Sequence, residues 1–188
     1  MSKPENDAFG IRYYGGEERV PQLISAVRAV RDYLCTDSAT LHDDFVGLSD
    51  LPSSPRPDPA PRVWIGGRGE ELLRFAGEVA DGWNAWGGTP ETFARDAGAV
   101  ASAAGERPIE LSWGGQMILE GDDAAARRRL GRRDPSHFVV GGPDEVTAQL
   151  RAFAEAGARH LIVAFPNASD PEPYELLGTV VRPALVGD

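Results

Sequence analysis

Residues 60–84 decide the fold: Ala60-Pro61-Arg62-Val63-Trp64-Ile65-Gly66-Gly67-Arg68-Gly69-Glu70-Glu71-Leu72-Leu73-Arg74-Phe75-Ala76-Gly77-Glu78-Val79-Ala80-Asp81-Gly82-Trp83-Asn84. They read as strand, glycine turn, helix, strand. Val63, Trp64 and Ile65 are a short apolar run rich in strand formers, with prolines before it and glycines after it. Gly66, Gly67 and Gly69 let the backbone turn sharply and present N–H groups at the start of a helix. Leu72, Leu73, Phe75, Ala76 and Val79 recur at helical spacing. Asp81-Gly82 ends that helix, and Trp83-Asn84 begins the next buried segment. A strand feeding a glycine turn into a helix N-terminus favours an anion through backbone amides and the helix dipole. An ordinary βα connection that needs glycine for close packing has the same local pattern. The glycines form neither the dinucleotide fingerprint nor, lacking a Lys-Ser/Thr pair, a P-loop.

Working outward, the chain has 188 residues, enough for one domain with a sizeable core. Charged residues are 26% and hydrophobic ones 41%, an ordinary globular balance. The net charge of −10, with Lys3 the one lysine, argues against a nucleic-acid or anionic-membrane surface. No apolar run is long enough to span a membrane, and the first residues lack the apolar core of a signal peptide. The single cysteine, Cys35, allows no internal disulfide and suits a reducing cytoplasm; on its helix near Val30 and Leu34 it reads as a half-buried structural thiol.

Residues 1–8 are polar and aperiodic and read as a loose tail. From Gly16 a helix is expected, with Val20, Leu23, Ile24, Val27, Val30, Arg31 and Leu34 on one stripe. Residues 40–51 suggest a hairpin-like excursion, and the five prolines of residues 52–62 an extended loop. Thr89-Pro90 reads as an N-cap with proline at the first helical position of a helix ending at Gly105. A charged helix over 122–133, a helix over 144–157 and a last helix over 173–181 follow. Four strands are expected, at 63–67, 82–86, 109–119 and 160–166, the last a continuous apolar strand covered on both faces. Strands alternating with helices predict parallel βα units.

The wording of the central stretch is more specific than its physics. Val63 to Glu70, followed by Ala80-Asp81-Gly82-Trp83-Asn84, resembles the luciferase-like flavin- and deazaflavin-dependent oxidoreductases. Val140-Gly141-Gly142-Pro143-Asp144-Glu145-Val146 resembles that family's turn before a late helix, and Ala156 to Val163 its final barrel strand. The resemblance runs from about Phe9 to Leu185. It implies a partial (β/α)₈ TIM barrel, a single domain over 1–188 whose four βα units correspond to the barrel's second half. A full barrel needs eight strands and typically about 250 residues. Four parallel strands leave open edges and an exposed apolar inner face. The expectation is therefore a homo-oligomer, or association with a complementary half-barrel.

The resemblance also implies a cofactor, flavin mononucleotide (FMN) or a deazaflavin of the F420 type, with no metal, and a small organic substrate. Carried onto this sequence, Gly66, Gly67, Arg68 and Gly69 would hold the cofactor phosphate through backbone N–H groups and one guanidinium. Trp83 and Asn84 would line the ring or substrate pocket at a strand C-terminus. The implied activity is that of a luciferase-like oxidoreductase or monooxygenase. The alternative is a non-catalytic half-barrel that binds a phosphate-bearing cofactor or a partner subunit. The residues single out no catalytic group. His42, His137 and His160 read as structural and their spacing gives no metal motif. Asp43-Asp44 and Asp122-Asp123 read as solvated pairs.

Overall fold

The computed structural model describes residues 3–187, which group into two compact units divided between Val63 and Trp64. In the first unit, α1 (Lys3–Ala8) and a 3₁₀ turn (Gly16–Glu18) precede α2 (Arg19–Cys35). An antiparallel hairpin follows, β1 (Ser38–His42) with β2 (Gly47–Pro52), Leu41 opposite Leu48. Residues 3–8 are thus helical rather than loose: Pro4 pre-sets the first turn, and Lys3 pairs with Asp7 one turn on at 2.6 Å. Residues 1–2 of that tail lie outside the described residues. The hairpin is a narrow surface for α2 to pack on, and it covers only part of the expected stripe. Ser25, Val27 and Ala29 are buried while Val30 is 47% exposed. Cys35, the last residue of α2, is exposed, not half-buried. Pro52 closes β2, and residues 53–63, with the other four prolines, hold neither helix nor strand.

The second unit is a run of parallel βα units: β3 (Trp64–Gly66), α3 (Glu70–Val79), β4 (Gly82–Trp86), α4 (Pro90–Ala104), β5 (Glu110–Leu119), α5 (Asp123–Leu130), β6 (Phe138–Gly141), α6 (Pro143–Glu155) and β7 (His160–Ala164). It closes with α7 (Glu172–Leu176), which continues through a π turn (Leu177–Val181) into α8 (Arg182–Val186). Every strand pairing here is parallel. The four expected strands are present. A fifth, β6, lies where the sequence suggested loop.

Register shows how β6 fits. Residues 112–114 of β5 pair with both β4 and β7, which must therefore lie on opposite edges. Gln116 pairs with both Phe138 and Ala164, so β6 lies opposite β7 and extends the edge that β4 leaves at Gly114. The sheet keeps four columns, with β6 end to end with β4.

Strand parity sorts the side chains to two faces. On the helical face, Trp83 stacks on Phe93 of α4 at 5.6 Å, and Trp113 stacks on Phe153 of α6 at 4.0 Å. Phe93 meets Phe153 edge-on at 6.3 Å, joining the two stacks into one aromatic core. The other face is layered as a barrel interior is. One row holds Trp64, Gly82 and Glu110, the next Gly66, Asn84, Ser112 and His160, the next Trp86, Gly114 and Ile162. Glycine makes room for the large rings: a Cβ on Gly82 would stand 2.5 Å from Trp64, and one on Gly114 2.8 Å from Trp86. The strand expected to be covered on both faces is not. Ile162 of β7 is 40% exposed and Trp86 54%, because among the described residues β7 pairs only with β5 and this face of the unit is open.

The Asp122-Asp123 pair is structural rather than merely solvated. Asp122 caps α5 by accepting from Ala125 N–H at 2.7 Å, and Asp123 accepts from Gly142 N–H, at the start of α6, at 2.7 Å.

Candidate functional site

Two glycine loops meet at the C-terminal ends of β3 and β4. The first, Gly66 to Gly69, leaves β3 with Gly67 at φ 124° and Gly69 at φ 110°, backbone conformations that favour glycine. Gly67 is doubly required, since a Cβ there would stand 2.6 Å from Leu72 Cδ2. The second, Gly87-Gly88-Thr89, leaves β4 and opens α4. Thr89 accepts from Thr92 N–H, and Pro90 fills the first helical position.

The structure joins the expected site residues by specific bonds. Gly67 N–H donates to the Asn84 carbonyl at 3.3 Å, and the Trp83 indole N–H donates to the Gly67 carbonyl at 2.9 Å. Trp83 is fully buried on the helical face, so it braces the loop from behind rather than lining its open side. Asn84 faces the opposite way and donates from Nδ2 to Ser112 Oγ at 2.9 Å on the inner face. Arg68 spans the two loops: its Nη2 donates to the Gly87 carbonyl at 2.7 Å, which also accepts from Trp113 Nε1 at 3.2 Å.

The helix N-termini of this unit differ in what meets their N–H groups. Thr89 serves α4, Asp122 serves α5 and Asp170 accepts from Glu172 at the start of α7, while α6 has no side-chain cap, Asp123 accepting only from the N–H of Gly142 that precedes it. Gly69 begins α3 with no side chain to accept a bond, and no other side chain among the described residues takes that role. Glu70 and Glu71, in the first turn, already complement the dipole; the backbone donors remain unmet. At α4, hydrogen bonds from Thr89 and from its own amide hold Glu91 below the ordinary carboxylate range, keeping negative charge beside that terminus. Of α3 and α6, which both lack a side-chain cap, α6 has the Asp123 carboxylate on Gly142 and α3 has the Arg68 guanidinium in its loop, so a phosphate is better placed at α3.

Beside the second loop a cavity of about 250 Å³ is lined by Gly87, Gly88, Trp113, Gln116, His137 and Phe153. His137 thus borders the strand ends, which its place in a Pro-Ser-His segment did not reveal. His160, at the opposite end of β7, sits edge-on to Trp64 at 5.6 Å with Nδ1 3.6 Å from Glu110. That is the stability end of a barrel, as expected for it. Sequence reading missed Gly87, Gly88 and Ser112; the second Gly-Gly pair before a capped helix was the available signal.

Residues 1–137 match the family described as luciferase-like monooxygenase. A 5,10-methylenetetrahydromethanopterin reductase of Methanolobus tindarius is 26% identical over 144 residues, covering 74% of this chain and 43% of that protein. Among solved structures, the coenzyme F420-dependent tetrahydromethanopterin reductase from Methanopyrus kandleri superposes with a TM-score of 0.71 at 18% identity, over 86% of this chain and 63% of that one. A monooxygenase from Streptomyces bottropensis gives 0.76 at 19% identity, over 97% and 66%. EDTA monooxygenase from a Chelativorans species gives 0.76 at 12% identity, over 98% and 64%. The chain thus spans less than half the length of its curated relative and under two thirds of these solved chains. At such identities the structures establish a shared fold, while the family match covers most of the sequence. The chain belongs to the luciferase-like monooxygenase family.

Proposed function

We propose that this chain binds the phosphate-bearing end of FMN or of the deazaflavin coenzyme F420 at its paired glycine loops. In a cytoplasmic setting, it would support oxidoreductase or monooxygenase chemistry on a small organic substrate. The observation that carries this reading is the uncapped N-terminus of α3, set beside a second glycine loop and an arginine. The donor set fits the group: backbone N–H groups from Arg68 onward, and a guanidinium that still has N–H donors beyond the one given to Gly87. Held by these residues, a reduced flavin would bring electron supply to dioxygen, and a reduced deazaflavin hydride supply. The chain's own part is to bind and orient. Gly66 to Gly69 take the phosphate, Trp83 fixes the loop from behind, and Asn84 with Ser112 present polar groups on the inner face.

Fluorescence titration with each cofactor tests this. Micromolar binding is expected, weakened about tenfold in Arg68→Ala, the ~1.4 kcal/mol of one charge-assisted contact. Failure of both FMN and F420 to bind overturns the reading.

The same reading assigns a partner to the inner face, a second copy or a complementary half-barrel. Trp86 and Ile162 lie adjacent on that face across Gly114, both substantially exposed. Self-association in light scattering, reduced by Trp86→Glu, is the expected result for a second copy. A stable monomer that binds no hydrophobic dye contradicts an apolar face in need of any cover.

A further inference from the structure

Asp96 lies on the buried stripe of α4 with Phe93, Ala97 and Val100, and is 4% exposed. A carboxylate there is costly, since removing a charge from water carries a penalty of several kcal/mol unless it is well paired. Its pairing is incomplete. Oδ1 accepts from Arg95 Nε at 2.9 Å and Nη2 at 2.8 Å, but Arg95 is a surface side chain, 74% exposed. Oδ2 is buried with no hydrogen bond, and the Arg68 Nε stands 3.7 Å from it. An apolar residue would serve packing at this position at lower cost. The carboxylate therefore calls for an explanation beyond the stability of α4.

Arg68 supplies it. The guanidinium lies over Gly88, where a Cβ would stand 2.6 Å from Nη2 and 2.9 Å from Nη1. Nη2 is bound to the Gly87 carbonyl and Nε faces the Asp96 carboxylate at ion-pair distance, which leaves Nη1. An unrestrained arginine loses rotamer entropy on binding an anion; one already fixed does not. We infer that Asp96 is a positioning residue for the phosphate cradle: its buried carboxylate holds Arg68 across the two glycine loops, so that guanidinium and loops are set before any anion arrives. This rests on the cofactor site proposed above. It adds a residue from α4, outside both loops, and a reason for glycine at position 88.

Two measurements on the full chain keep the outcomes apart. In the ligand-free chain, amide hydrogen exchange over residues 87–89 is expected to quicken in Asp96→Asn, which keeps the side-chain volume. It should quicken likewise in Arg68→Lys, which keeps the charge but not the fork. In titrations, Asp96→Asn is expected to weaken FMN on the order of tenfold, one charge-assisted contact, while riboflavin, which has no phosphate, binds as to the parent chain. A merely structural role would weaken both flavins alike. Unchanged exchange at 87–89 in both variants overturns the inference, as does an equal loss of FMN and riboflavin. If the parent chain binds neither FMN nor F420, the cofactor reading fails, and the exchange result alone decides whether Asp96 sets Arg68 and its loop.

Discussion

Trp83→Ala is expected to destabilise the second unit by about 3–5 kcal/mol, the range for emptying a buried aromatic site. Trp83 is fully buried, stacked on Phe93, and Phe93 in turn meets the Phe153–Trp113 stack. The cavity would open at the centre of the core, where α4 and α6 cannot easily close it. The indole also donates to the Gly67 carbonyl, so its loss frees the first glycine loop. Trp83→Phe separates the two effects: it keeps most of the ring and removes the N–H, leaving about 1 kcal/mol for that bond on top of the lost volume. Urea unfolding followed by far-UV circular dichroism reads both. A midpoint in Trp83→Ala within experimental error of the parent would contradict the assignment of Trp83 to the core.

Gly77→Ala is the second large effect, and its sign runs against helix propensity. Alanine gains about 1 kcal/mol over glycine inside a helix. Here, however, the new Cβ would stand 2.5 Å from the Val100 carbonyl and 2.5 Å from Ala103 Cβ, so α3 and α4 must separate. Overpacking of this kind costs about 1–3 kcal/mol. With backbone atoms among those struck, the net expectation is a loss of about 2 kcal/mol. Gly98 of α4 is the control: it is exposed, and a Cβ there meets nothing within 4 Å. Gly98→Ala should therefore stabilise by up to about 1 kcal/mol. Thermal melts of the pair should move in opposite directions, and movement in the same direction would show that α3 and α4 do not pack through Gly77.

Where the sequence was legible, the signal was local. α3 and α4 fall at Glu70–Val79 and Pro90–Ala104, because apolar spacing, the Thr89 cap and Gly105 all act within a turn or two of the chain. β6 was not legible. Its four residues form a strand by pairing with Gln116 to Leu119, some twenty residues earlier, and only that non-local edge distinguishes it from loop. The site divides the same way. The glycines of the first loop announce a turn, but which face Trp83 takes is a matter of strand parity. Trp83, Ala85 and Trp86 put apolar side chains on both parities, so the buried face cannot be read without the sheet. Asp96 did leave a trace: it sits three residues after Phe93 and four before Val100, a charge on an apolar stripe. Its partner, Arg68, is 28 residues away and becomes visible only when the two loops are brought together.

The most direct test of the central claim is to locate the phosphate. Amide resonances of the isotopically labelled chain, followed during titration with FMN and then with F420, report the site residue by residue. The account predicts that the largest shifts fall on residues 67–72 and on Gly88, with those of Gly142 to Glu145 unmoved because the Asp123 carboxylate already stands at that helix start. Shifts centred on Gly142 to Glu145, or saturable binding that leaves residues 67–72 unperturbed, would contradict it.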